Sequence, residues 1–236
     1  MRIKAKKVET EEFKPLKWPP IFPLNKGLIV WYTFDDRSGA VLRDRSGKRN
    51  HGTISGATWV AGKRGSALRF NGTTNYVGTA VDLFSQATFA KGGSVSVLFK
   101  LLSLQSGLRR IVDIEGRFLC LEKVSSHRLN VYMYDGADRN APTDALSAEA
   151  NVWYHMIGTW DGTTMRCYID GVLQTATVTC SVGTIDDVSR SMCIGGYNNV
   201  SLFANAVITR VLIYNRALNA AEAKRLAKSE LMLVRH

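Results

Sequence analysis

Two carboxylates two residues apart on a strand can share acid and base work, and Asp113-Ile114-Glu115 is such a pair, since alternation puts both on one face. Gly116-Arg117 follow at once and read as a hairpin turn, so Asp113 and Glu115 are expected at a strand end in solvent. A second set joins aromatic faces to hydrogen-bonding groups. Tyr132 and Tyr134 lie two apart and share a face, with Asp135, Asp138, Arg139 and Asn140 at the strand end and in the loop after it. Tyr197-Asn198-Asn199 makes another polar and aromatic loop. No Ser, His and Asp set stands in a nucleophile context, and no Gly-rich phosphate loop occurs.

The four cysteines, Cys120, Cys167, Cys180 and Cys193, show no CxxC spacing, which argues against a zinc site. Cys120 and Cys167 fall inside apolar strands, where a free Cys behaves as a small buried hydrophobe. A Cys180 to Cys193 disulfide stays open.

The elements that must position these groups are short strands. Segments 28–34, 66–71, 94–102, 108–114, 117–122, 128–134, 152–160, 164–170, 190–195 and 206–214 are rich in β-branched and aromatic residues and are bounded by Gly, Asn, Asp and Ser. Val95, Val97 and Phe99 alternate with Ser94, Ser96 and Lys100, which predicts one buried and one wet face. Asp161-Gly162 and Asp170-Gly171 are placed for tight turns. Only the tail reads as helix, with Asn219 as cap and Glu222 as its capping-box partner. The expectation is an all-β, two-sheet antiparallel jelly-roll sandwich with a short C-terminal helix and an extended N-terminal arm. The domain spans 27–236 and the arm 1–26.

Several motifs occur together in order: Gly27-Leu28-Ile29-Val30-Trp31-Tyr32-Thr33-Phe34-Asp35, then Asp44-Arg45-Ser46-Gly47, Gly65-Ser66-Ala67-Leu68-Arg69-Phe70-Asn71-Gly72, Trp160-Asp161-Gly162 and Tyr168-Ile169-Asp170-Gly171. The closing Ile213-Tyr214-Asn215-Arg216-Ala217-Leu218 runs into the helix. Over residues 27–229 the chain resembles the laminin-G-like, concanavalin A-like lectin and glucanase jelly rolls. The resemblance implies a glycan-binding surface, for which Tyr132, Tyr134, Asp135, Asp138, Arg139, Asn140, Tyr197 and Asn198 are the candidates. Packing of the tyrosines on the sandwich surface or against a neighbour is the other reading.

The resemblance bears on two further properties. Glucanases of this superfamily carry further acids around their carboxylate pair, where this chain has Ile111 and Phe118, so catalysis is not expected. Many relatives bind calcium through the acidic turn after the first strand, here Asp35 and Asp36, and an acidic pair in the last strand. Ile208-Thr209-Arg210-Val211 replaces that pair, so no cofactor is expected and calcium is doubtful.

The net charge of +11 is densest at the two ends: residues 1–26 carry seven Lys/Arg against three Glu, and residues 215–236 five against two. Aromatics do not interleave with the basic residues as stacking platforms do, which argues against nucleic acid. No run approaches the ~20 apolar residues of a membrane span, and the first residues lack the apolar core of a secretory signal. The arm holds four of the five prolines, yet also Phe13, Trp18, Ile21, Phe22 and Leu24, which are too apolar to wave in water. These five are read as anchors onto other protein subunits, with an arm that wraps its own sandwich and covers an edge as the other reading. The resulting expectation is a non-catalytic recognition protein mounted on a larger assembly, such as a virion decoration, fibre or adhesion protein, located on a virion or extracellular surface. A free carbohydrate-binding module and an atypical glycoside hydrolase are the alternatives.

Overall fold

The computed structural model describes residues 24–79, 89, 92–114, 120–123, 126–180 and 192–231. Within them the chain forms two antiparallel sheets and one helix. In chain order the strands are β1 (Leu28–Tyr32), β2 (Val41–Leu42), β3 (Gly52–Ser55), β4 (Thr58–Ala61), β5 (Ser66–Asn71), β6 (Tyr76–Thr79), β7 (Gly93–Leu101), β8 (Arg109–Asp113), β9 (Cys120–Lys123) and β10 (Arg128–Tyr134). They continue as β11 (Asp138–Ser147), β12 (Trp153–Trp160), β13 (Thr164–Ile169), β14 (Val172–Leu173), β15 (Val178–Thr179), β16 (Cys193–Ile194) and β17 (Asn205–Tyr214), before helix α1 (Ala220–Leu231).

The first sheet runs β14-β13-β12-β7-β17-β5-β4, with β1 on β17 and β15 on β13; the second runs β11-β10-β9-β8-β16-β6-β3-β2. Between them lies one core. Val95, Val97, Phe99, Met156, Trp160, Ile208 and Ile213 of the first sheet meet Ile111, Leu121, Val131, Met133 and Ile194 of the second. Two sheets burying alternate residues against each other is the aligned sandwich solution for strands of this length. Gly158 makes room in it, since a Cβ there would come within 2.8 Å of Val131.

The outer face of the first sheet is not wet. Helix α1 covers it, and Leu24, Leu28, Ile157, Tyr168, Leu212, Tyr214, Leu218, Ala223 and Leu226 form a second apolar cluster there. Ser94 and Ser96, expected in solvent, are buried beneath this layer and their hydroxyls are satisfied inside. Ser94 donates to the Arg216 carbonyl at 2.8 Å and accepts from the Leu218 N–H at 2.8 Å, while Ser96 Oγ meets His155 Nε2 at 2.8 Å. Burial keeps His155 neutral, its pKa pushed down to about 3. The helix opens as the sequence predicts: Glu222 N–H donates to Asn219 Oδ1 at 2.9 Å, and Asn219 N–H to Glu222 Oε2 at 3.0 Å. No helix among the described residues is long and apolar enough to cross a membrane.

Two further expectations change, and one open question closes. Leu24, assigned to an anchoring arm, is buried under this domain's own helix layer; Phe13, Trp18, Ile21 and Phe22 lie outside the described residues. Asp138, Arg139 and Asn140, read as part of a loop, open β11, the longest strand of the second sheet among the described residues. It lies at the sheet edge, where Pro142 needs no partner for its missing N–H. Cys180 and Cys193 are separate buried thiols rather than a disulfide, held protonated by burial with pKa values of about 11 and about 12.

Candidate functional site

The outer face of the second sheet, away from the core, carries polar side chains that pack on one another. Strand alternation selects them: Leu129, Val131 and Met133 of β10 enter the core, so Asn130, Tyr132 and Tyr134 face outward. Register then places Tyr132 opposite Asn140 of β11, Asn130 opposite Glu122 of β9, and Glu122 opposite Arg110 of β8.

Arg110 is the centre. Its Nε lies 3.0 Å from Glu122 Oε2 and its Nη1 lies 3.4 Å from Asp113 Oδ1. The Tyr132 ring lies against its guanidinium, with the Cζ 4.5 Å from the ring centroid, and Tyr197 lies beyond at 5.9 Å. Arg110 is only 5% exposed and Asp113 wholly buried. Asn130 Nδ2 donates to Glu122 Oε1 at 2.6 Å and to Asn140 Oδ1 at 2.8 Å, and the Tyr132 hydroxyl donates to Asp138 Oδ1 at 2.8 Å. Desolvation raises the Glu122 pKa, and Arg110 and Asn130 pull it back.

The wall carrying Tyr197 is a tight turn. Asn198 and Asn199 both take positive φ, 46° and 61°, as a primed turn requires and as asparagine tolerates. The turn closes through the Tyr197 N–H to the Ser201 carbonyl at 2.8 Å, and its far end is tied to the sheet by the Arg110 N–H to the Leu202 carbonyl at 2.9 Å. Thus β8 fixes both the guanidinium and the loop that covers it.

Of the sequence candidates, Tyr132, Tyr134, Asp138 and Asn140 share this outer face, and Tyr197 reaches it from the turn where Asn198 sits. Arg139 is out of phase: it pairs with Met133, whose side chain is in the core, and it binds Asp135 Oδ1 at 2.8 Å within the hairpin. Asp113, expected in solvent, is fully buried against Arg110; Glu115 lies outside the described residues. The sequence reading missed Arg110, Glu122 and Asn130. Each sits on the outward phase of a strand, but only the register of three strands shows that they meet.

The acidic turn has different partners. Asp36 accepts from the Arg43 N–H at 3.0 Å and from Arg45 Nη2 at 2.9 Å. Asp35 faces Arg210 Nη1 at 3.4 Å, and Arg210 also approaches Glu230 of α1 at 3.8 Å. Among the described residues no three His, Cys, Asp or Glu side chains converge as a metal cage would. Beside this turn a groove of about 450 Å³ opens along the sheet edge, lined by Arg37, Trp59, Val60, Ala61, Gly65 and Ser66.

A family model described as the concanavalin A-like lectin/glucanases superfamily matches residues 71–224, nearly two thirds of the chain. The chain belongs to this superfamily. Among solved structures, the superfamily member here is similar to domain 4 of AbnA, a GH43 extracellular arabinanase from Geobacillus stearothermophilus solved with arabinotriose. The identity is 20% and the TM-score 0.69, over 85% of this chain and 98% of that one. It is also similar to Trypanosoma rangeli sialidase in complex with sialic acid, at 22% identity and TM-score 0.67, over 87% of this chain and 33% of that one. The binding domain of Paraclostridial Mosquitocidal Protein 1 matches at 17% identity and TM-score 0.69, over 88% and 53%. The chain therefore spans about a third of the sialidase structures that it matches. No curated protein matched in the corresponding search.

These neighbours overturn the expected virion decoration, fibre or adhesion subunit. They are a domain of a polysaccharide hydrolase, a sialidase and a toxin's binding domain, and none is a component of a virion.

Proposed function

We propose that this member of the superfamily is a carbohydrate-binding domain whose glycan site is the outer face of the second sheet around Arg110. The arrangement of Tyr132 and Tyr197 about the Arg110 guanidinium carries the reading, since it fixes two partly exposed rings beside the exposed Asp138 and Asn140. Ring faces hold the apolar C–H surface of a sugar, while a few placed acceptors and donors hold its hydroxyls. The likeness to an arabinanase domain solved with arabinotriose supports the same reading.

Binding fits this face better than hydrolysis. A general acid must reach the glycosidic oxygen, whereas Asp113 and Glu122 are buried and turned onto Arg110. Tyr132→Ala is expected to weaken binding of a cognate oligosaccharide tenfold or more, about 1.4 kcal/mol, when titrated calorimetrically. Tyr132→Phe keeps the ring, loses the bond to Asp138, and should cost less. Unchanged affinity in the alanine variant would contradict the site.

The reading needs no metal. With Asp35 turned to Arg210 and Asp36 to Arg43 and Arg45, millimolar calcium or a chelator should move the thermal midpoint by no more than about two degrees. A larger rise with calcium, lost in Asp35→Ala, would show that the acidic turn still holds a cation.

A further inference from the structure

Resting on that glycan reading, we infer that the face around Arg110 selects neutral sugars and rejects anionic ones such as sialic or uronic acids. Lectin sites for acidic sugars hold the carboxylate with a guanidinium that reaches solvent, because paired N–H groups match its two oxygens. Arg110 does not offer that. It lies against Glu122 and Asp113 at 3.0 and 3.4 Å, with the ring of Tyr132 over it and that of Tyr197 nearby. Its role is to position two rings and neutralise two internal acids, not to meet a ligand.

The charge balance of the face points the same way. On this face stand Arg110 and the half-buried Arg128, which shares the strand phase of Asn130 and rests its guanidinium on the Thr143 carbonyl. With Asp113, Glu122 and the exposed Asp138, these described ionisable groups are two cations and three acids. The internal segments outside the described residues, 80–88, 90–91, 115–119, 124–125 and 181–191, hold three basic against four acidic residues and bring no net positive charge. Tyrosine π faces are themselves electronegative and favour C–H edges over anions. The groups facing solvent, Asp138, Asn140 and the Tyr197 turn, accept and donate hydrogen bonds as hydroxyls require.

The basic excess lies elsewhere. Residues 24–79 carry nine Lys/Arg against three Asp. These residues belong to β1 to β6 and their loops, and of those strands only β6 borders β16 next to β8. Although the chain carries a net charge of +11, the described residues of the sugar face carry no net positive charge.

Calorimetric titration of the full chain tests this with neutral arabino-, galacto- and gluco-oligosaccharides against sialyllactose and trigalacturonate, at about 50 and about 300 mM salt. The expected result is a neutral oligosaccharide bound with affinity nearly independent of salt and reduced tenfold or more by Tyr132→Ala, with no Tyr132-dependent binding of either anionic sugar. Anionic binding that needs Tyr132 and weakens with salt would overturn the neutral preference while leaving the glycan site in place. Failure of both sets to bind the folded chain, or binding indifferent to Tyr132→Ala and Tyr197→Ala alike, would overturn the site and the preference together.

Discussion

Arg110→Ala is expected to destabilise the domain by about 3–5 kcal/mol, because removing one partner of a buried ion pair leaves charge in the interior with nothing to balance it. Here two buried carboxylates would lose the cation they share. Asp113 is fully buried, Glu122 nearly so, and both are held by this one guanidinium. Denaturant unfolding reads the loss as a lower midpoint at unchanged slope. Burial already raises the Glu122 pKa and Arg110 is the largest influence lowering it, so without Arg110 its folded value stands further above the unfolded one and the native state binds more protons there. Stability then falls as pH rises from the unfolded toward the folded value, and acidification toward pH ~4.5 should shrink the deficit. Adding Asp113→Asn and Glu122→Gln should recover most of the loss at neutral pH. A cost below about 1 kcal/mol for the alanine variant would put the cluster in the class of surface ion pairs and remove the organising role given to Arg110.

Gly195→Ala should cost about 2–5 kcal/mol through two separate effects. Its φ of +83° lies in the left-handed region, where a side chain is strained by about 1–2 kcal/mol. A Cβ there would also stand 2.4 Å from Cδ1 of Phe70, a fully buried ring, and overpacking of that kind costs about 1–3 kcal/mol. Gly195 joins β16 to the turn that carries Tyr197, receiving through its carbonyl the Ala204 N–H at 3.0 Å and donating to Ile111 at 2.9 Å. The substitution should therefore weaken glycan binding as well as lower the unfolding midpoint. A neutral effect on both would mean that Phe70 has room to yield and that the turn is not set from this point.

The sandwich was legible in the sequence because its strong strands announce themselves. β7, β10, β12 and β17 combine β-branched or aromatic runs with a period of two, and their predicted spans agree with the observed ones to within a residue or so. Weak strands escaped. β3 and β4 are four residues each and β11 holds Asn140, Pro142 and Asp144, so they are strands because the neighbouring edge supplies hydrogen bonds, not because of local preference. The capping box of α1 was readable from two residues, but the burial of Ser94 and Ser96 was not, since it depends on where the helix lands. The site divides in the same way. Tyr132, Tyr134, Asp138 and Asn140 could be grouped by alternation within one hairpin, and alternation likewise sets Arg139 aside once β11 is known to be a strand. Arg110, Glu122 and Asn130 come from three strands, and no spacing in the chain connects them.

Amide chemical-shift mapping of the full chain during titration with a bound neutral oligosaccharide addresses the central claim most directly. Perturbations should centre on Tyr132, Asp138 and Asn140 and on the Tyr197 to Asn199 turn, with the Arg110 side-chain signals shifting with them. Perturbations confined instead to the groove of Arg37, Trp59 and Ser66, with the Tyr132 face silent, would contradict it.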